Sequence, residues 1–311
     1  MTGLKRRHIS GWLLFLGAVL WLWIGAGCGG ARQTKAGAPD GDREFDRLSR
    51  MARSAFDNGQ INQAIAGYEK ALARAYVSDD LDAIVDTGYN LGVCHLRQED
   101  FAAALETVET AVRELRAAGR TAPSDLRLLQ AAALYYGGSP DRAWRVSQDI
   151  LSALPAPSSE VLARTRYLRG RIAADRGDAR QLRAEIAALV EPSLPGLAAD
   201  RLELTGRLAM VEERWEDAVA DLDQAARLRA ENGNYRLMAA TLAVSAQACD
   251  RGQRPEEGAY RYLRAARSSA LSGDASRAAA WLSQAVRLAE QSSATSILTE
   301  ARRFQDFLSG Q

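Results

Sequence analysis

The chain has 311 residues with 40 Lys+Arg against 39 Asp+Glu, a formal net charge of +1 at pH 7. So even a balance excludes a general nucleic-acid binder, which needs a basic surface. Two histidines and three cysteines, with no Cys/His cluster at metal-ligand spacing, leave little material for a metal centre.

The first element is a leader. Lys5, Arg6 and Arg7 open it, and the apolar run GWLLFLGAVLWLWI from Gly11 to Ile24 follows. That run falls short of the ~20 residues a membrane-spanning helix needs, and a basic start before a short apolar stretch reads as a secretory signal. Gly25, Ala26 and Gly27 then lead into Cys28. The stretch GAGC resembles the bacterial lipoprotein signal, in which the thiol receives a diacylglycerol and cleavage falls just before the cysteine. A thiolate is the good nucleophile among small side chains, and several acyl chains at one residue anchor stably where a single chain does not.

The resemblance thus implies a signal peptide at 1–27 and a lipid at Cys28, hence a membrane anchor on the periplasmic side. Gly29 stands where an Asp would retain such a protein at the inner membrane, so the resemblance favours the outer one. Removing the leader takes three cations and no acid, which tips the remaining balance slightly acidic. Residues 28–42, CGGARQTKAGAPDGD, have linker composition. About 14 flexible residues hold a domain ~20 Å from an anchor on average.

From residue 43 the pattern changes to amphipathic helices. Residues 89–112, YNLGVCHLRQEDFAAALETVETAV, place apolar and small residues at three- and four-residue steps on both sides of Gln98-Glu99-Asp100. Two helices joined by a polar turn are predicted there. Residues 48–71, 166–189 and 202–225 follow the same grammar. Small residues sit inside each first helix (Ala52, Gly92, Ala131, Gly170, Gly206), where paired helices must approach closely. Small or apolar ones mark each second helix (Ala64, Ala104, Ala143, Leu182, Ala218) and recur seven residues on.

These segments resemble tetratricopeptide repeats, at spacings somewhat longer than the usual ~34 residues. The fold expected is therefore all-α: a right-handed α-solenoid of about seven helix pairs over 43–311, closed by a terminal helix at 294–308. The register of the last two pairs is open, because Tyr260–Leu271 with Ala275–Gln291 fits the pattern as well as Tyr235–Asp250 with Pro255–Ala270. Packed helices lie about 8–10 Å apart, so four repeats keep Cys94 and Cys249 too far apart for a disulfide, which needs Cα atoms within ~7 Å. Both are expected as buried free thiols.

No phosphate loop, nucleophile elbow or metalloprotease motif occurs. His95 is expected as a packed side chain, and Trp144, Trp215 and Trp281 as inter-repeat core on second helices. No enzyme activity, cofactor or metal is expected.

A helical solenoid offers a long concave surface instead. In the family resembled, first helices line it and bind extended peptides or helices of a partner. Carried onto this sequence, that surface comprises Arg50, Arg53, Tyr89, Asn90, Arg97, Tyr135, Tyr136, Arg164, Tyr167, Arg171, Glu203 and Arg207. Tyr and Arg are the types enriched at binding hot spots; they also pack against neighbouring helices and cover apolar surface with their stems. Asn90 matches an asparagine that clamps a peptide's C-terminal carboxylate in some members, but the clamp lysines have no counterpart, since the only lysines are Lys5, Lys35 and Lys70.

The expected function is a membrane-anchored adaptor that binds protein partners of an envelope assembly in the periplasm. The alternative is a carrier or sensor holding a small ligand or glycan in the groove.

Overall fold

The computed structural model describes residues 42–189 and 196–309. The leader, Cys28 and most of the linker lie outside the described residues. Fourteen helices run in pairs: α1 (Arg43–Asp57) with α2 (Ile61–Val77), α3 (Leu81–Arg97) with α4 (Phe101–Ala117), α5 (Ser124–Tyr136) with α6 (Pro140–Leu151), and α7 (Ser159–Asp175) with α8 (Ala179–Ala187). Then come α9 (Leu197–Val211) with α10 (Trp215–Glu231), α11 (Tyr235–Arg251) with α12 (Pro255–Leu271), and α13 (Ala275–Gln291) with α14 (Thr295–Ser309). No strand occurs among the described residues. The chain is an all-α solenoid of helix pairs.

One turn design is repeated throughout. Three residues separate most helices, and the middle one has a positive φ, as at Gly59 (75°), Gly177 (68°) and Gly233 (70°). The next N–H then reaches back to the carbonyl five residues earlier, as in Gln60 to Ala55 at 2.8 Å and Asp178 to Ala173 at 2.9 Å. This Schellman closure satisfies the orphan carbonyls at a helix C-terminus. The same third residue often caps the following helix: the side chains of Asp80, Asp100, Asp178 and Asp274 each accept a backbone N–H from the first turn. Five turns place a non-glycine residue at the left-handed position, among them Glu99 (φ 64°) and Gln253 (φ 60°).

Helices of 17 residues with three-residue turns give a 20-residue step that holds from α2 to α4 and again from α10 to α14. It breaks in the middle, where α5, α6 and α8 have 13, 12 and 9 residues. Here α9 packs on α7 and α8 as well as on α10. The odd helices α3, α5, α7 and α9 touch in succession, which makes theirs the inner face of the curve.

The small residues sit where close packing requires them. Ala64, Ala104, Ala143 and Ala218 are fully buried. A Cβ added at Gly206 would come within 2.7 Å of Leu222 Cγ and 3.1 Å of the Ala218 carbonyl. The core is a chain of small clusters, each spanning adjacent pairs.

Trp281 lies on α13, which packs on both α12 and α14; α12 and α14 also touch each other, as α3, α5, α7 and α9 do in succession, so α13 stands as the second helix of a pair with α12 in the alternative register. All three tryptophans are partly rather than fully buried. Trp144 carries the Arg169 guanidinium 3.6 Å above its ring, Trp215 lies against Gly252, and Trp281 packs on the C-terminal cluster. Cys94 and Cys249 are buried and free, as expected. No described helix is long and apolar enough to cross a membrane.

Candidate protein-binding face

Six of the expected groove residues converge on the inner face of α5, α7 and α9. Tyr167, Arg171 and Asp175 follow one another at four-residue steps on α7, and Asp200, Glu203 and Arg207 at three and four on α9, so each trio shares one helix face. The two faces meet where α7 packs on α9.

Glu203 is the hub. Only 3% exposed, it accepts from the Tyr167 hydroxyl at 2.8 Å, from Arg207 Nε at 2.8 Å and from Arg229 Nη1 at 2.5 Å. Burial by itself would raise its pKa; Arg229, Arg207 and Arg171 outweigh burial and hold the carboxyl well below the usual carboxylate range. Arg229, on α10, also donates to Asp200 at 2.7 Å and to the Thr241 hydroxyl on α11. Burial leaves Asp200 above its ordinary value despite Arg229, and drives the Tyr167 phenol upward.

Beside this hub lies an aromatic cage. The Arg171 guanidinium sits 5.4 Å from the ring centroids of both Tyr135 and Tyr136 and 6.0 Å from that of Tyr167, within cation–π range. Its Nη1 donates to the Tyr136 hydroxyl at 2.8 Å. No described carboxylate lies within salt-bridge distance of it, and its buried Nε has no partner. Tyr135 donates to Asp175 at 2.6 Å; Tyr136 stacks on Phe101, centroids 5.7 Å apart. Burial pushes the Tyr135 phenol up to about 12.

The other expected residues lie elsewhere. Arg50 and Arg53 are exposed on α1. Arg97 stacks over Phe56 at 4.6 Å, and Tyr89 packs on the cluster around Val85 and Leu126. Asn90 gives its amide to the Asp86 carbonyl of its own helix at 2.8 Å, an arrangement unlike a clamp. Arg164 pairs with Glu160 four residues before it, at 2.6 Å. His95 is partly buried, with an Nδ1 that lacks a partner.

Sequence reasoning missed Arg229, Asp200, Asp175 and Thr241. Arg229 is on a second helix, so a mapping confined to first helices passes over it. Also missed was a separate buried knot, in which Glu185 on α8 accepts from Arg169 at 2.7 Å, from Arg166 at 3.0 Å and from Gln181 at 2.7 Å. A cleft of about 220 Å³ lies between α2, α3 and α4, lined by residues including Leu72, Tyr76, Thr107 and Thr110 around Gly88. No cluster of metal-ligating side chains occurs among the described residues.

No family model and no curated protein matches the chain. Among solved structures it is similar to a tetratricopeptide repeat protein from Parabacteroides merdae, at 14% identity over 83% of this chain and 99% of that one, with a TM-score of 0.49. It is also similar to the TPR2AB domain of yeast Sti1 in a pHSP90 complex, at 16% identity over 86% of this chain and 98% of that one, with a TM-score of 0.35. A TPR repeats protein from Bacteroides fragilis gives 15% identity over 86% and 98% and a TM-score of 0.32. All three are tetratricopeptide-repeat proteins. The likeness is one of fold alone.

Proposed function

We propose that the chain is a non-catalytic adaptor, held at the periplasmic side of the outer membrane by a lipid on Cys28, that binds a protein partner of an envelope assembly along the inner face of the solenoid. The observation that carries this reading is the cage at Arg171. Tyr135, Tyr136 and Arg171 are hot-spot residue types, half-buried and fixed by Asp175, Phe101 and one another. Side chains held in place before binding lose little entropy on docking, which is how a small patch supplies most of an interface's energy. Arg171 makes no direct salt bridge among the described residues and its Nε has no partner, although its charge also acts on Glu203.

The same contacts weigh against a small-ligand carrier at this face, since Tyr135, Tyr136, Tyr167 and Arg171 already bond to and stack on neighbouring side chains. The test is crosslinked capture from cell envelopes with the full chain and with Tyr135→Ala/Arg171→Gln, helicity being checked by circular dichroism. One protein held by the parent chain and lost by the folded variant is the expected result. Equal capture by both places binding on another surface and overturns the reading.

A further inference from the structure

Glu99 occupies the left-handed position of the turn between α3 and α4, with φ 64°. Its carboxylate leaves the second helix pair and meets the far end of the chain. Arg236, the second residue of α11, donates to Glu99 Oε1 at 2.9 Å and to the Arg97 carbonyl at 3.1 Å. Arg277, near the start of α13, pairs with the same carboxylate oxygen. Asp274 lies behind both guanidiniums, 3.6 Å from Arg277 and 4.0 Å from Arg236.

Pair two therefore touches pairs six and seven: the solenoid has coiled back onto itself. Each apolar cluster among the described residues stays within neighbouring pairs, and none bridges this junction. The junction is polar. Its members are about one-third exposed, 38% for Arg236, 32% for Arg277 and 34% for Glu99, so salt reaches them. Two cations, Arg236 and Arg277, pair with Glu99, and Arg97 is close enough to Arg236 that burial and that neighbour both lower its pKa. Asp274 offsets the two guanidiniums on their own side, so loss of the Glu99 charge removes both ion pairs across the junction and leaves only the hydrogen bond from Arg236 to the Arg97 carbonyl.

We propose that Glu99, Arg236 and Arg277 form an ionic clasp that closes the solenoid on itself, and that its release opens the inner face to a partner from the side. This goes beyond the adaptor reading and stands or falls independently of which partner binds.

The test is a distance measurement by pulsed electron resonance on the full chain in detergent, carrying Cys28→Ser and nitroxides at Ala102→Cys and Ser276→Cys. Both label sites are exposed, one on each side of the clasp, and Cys94 and Cys249 are buried. A single short distance is expected at low salt. It should lengthen and broaden in Glu99→Lys, in Arg236→Gln/Arg277→Gln, and for the parent in about 1 M salt, where the Debye length falls to ~3 Å. Glu99→Lys combined with Arg236→Glu and Arg277→Glu should restore it. Absence of the short distance in the parent overturns the clasp, as does its persistence in both charge variants. Failure of the charge swap to restore it assigns the opening to the altered turn and overturns it too.

Discussion

The Tyr167 hydroxyl donates to Glu203 across a 2.8 Å hydrogen bond that joins α7 to α9 in the protein interior. Glu203 also neutralises Arg207 and Arg229. Removing one partner of such a knot leaves buried charge uncompensated, which typically costs about 3–5 kcal/mol. Glu203→Ala should lose that much in urea unfolding followed by circular dichroism. Tyr167→Phe, which removes one hydrogen bond to a charged acceptor, should lose roughly 2 kcal/mol. Losses below about 1 kcal/mol for both would show that the knot does not hold α7 to α9.

The same carboxylate predicts the acid limb of stability. The folded pKa of Glu203 is depressed well below 4.5, so its contribution is fully present above that value and drains away as pH falls through the folded pKa. Asp200, whose pKa is raised, acts in the opposite sense and softens the decline. The melting temperature should hold from neutral pH down to about 5 and drop below about 4.5, where the unfolded carboxyls titrate. Glu203→Gln should melt lower at pH 7 but show a flatter acid limb. Parallel curves for parent and variant would remove Glu203 as the cause.

At alkaline pH the thiols act first, and the buried phenols of Tyr68, Tyr135 and Tyr167, which burial also raises, join them above about pH 10. Burial pushes Cys94 from 9.0 up to about 12 and Cys249 up to about 11. A raised folded pKa gives stability that is intact below the unfolded value and lost as pH climbs toward the folded one. Stability should therefore fall between pH 9 and 11, with each group adding up to about 1.4 kcal/mol per pH unit. In the native chain at pH 8, neither thiol should react with an aromatic disulfide reagent, and both should react in urea. Rapid native labelling at either position would contradict the burial.

Two backbone positions test the turn and packing logic. Gly206→Ala gains about 1 kcal/mol of helix propensity but drives a Cβ to 2.7 Å from Leu222 and toward a backbone carbonyl. Overpacking of this kind costs about 1–3 kcal/mol, so a net loss is expected. Gln253→Gly should instead stabilise by about 0.5–1 kcal/mol, because a left-handed φ of 60° strains glutamine and not glycine. Thermal unfolding of both variants reads the two signs at once.

The anchor has its own test. Labelled palmitate should enter the parent chain in a lipidating bacterium and be absent from Cys28→Ser. Equal labelling of the two would show that the acylated residue is another one.

The amino-acid sequence by itself determined the helix pairs. Periodicity, turn glycines and small residues such as Ala64, Ala104 and Gly206 act within a few residues, and each dictates its local geometry whatever the rest of the chain does. The same locality made the unpaired state of Cys94 and Cys249 legible, since repeats stack in order. It also made the last register ambiguous, because a uniform 20-residue step looks the same from either helix.

Only the tertiary structure decided what the inner-face side chains do. Tyr135, Tyr136, Tyr167, Arg171, Glu203 and Arg207 were visible as a set, but not their engagement with one another. The partners Arg229, on α10, and Asp175, at the end of α7, are reached only through how successive helices are placed against one another. The clasp from Glu99 to Arg236 and Arg277 was beyond reach for the same reason. Such contacts depend on how small rotations between successive pairs accumulate, and that sum is a property of the whole solenoid, written in no single repeat.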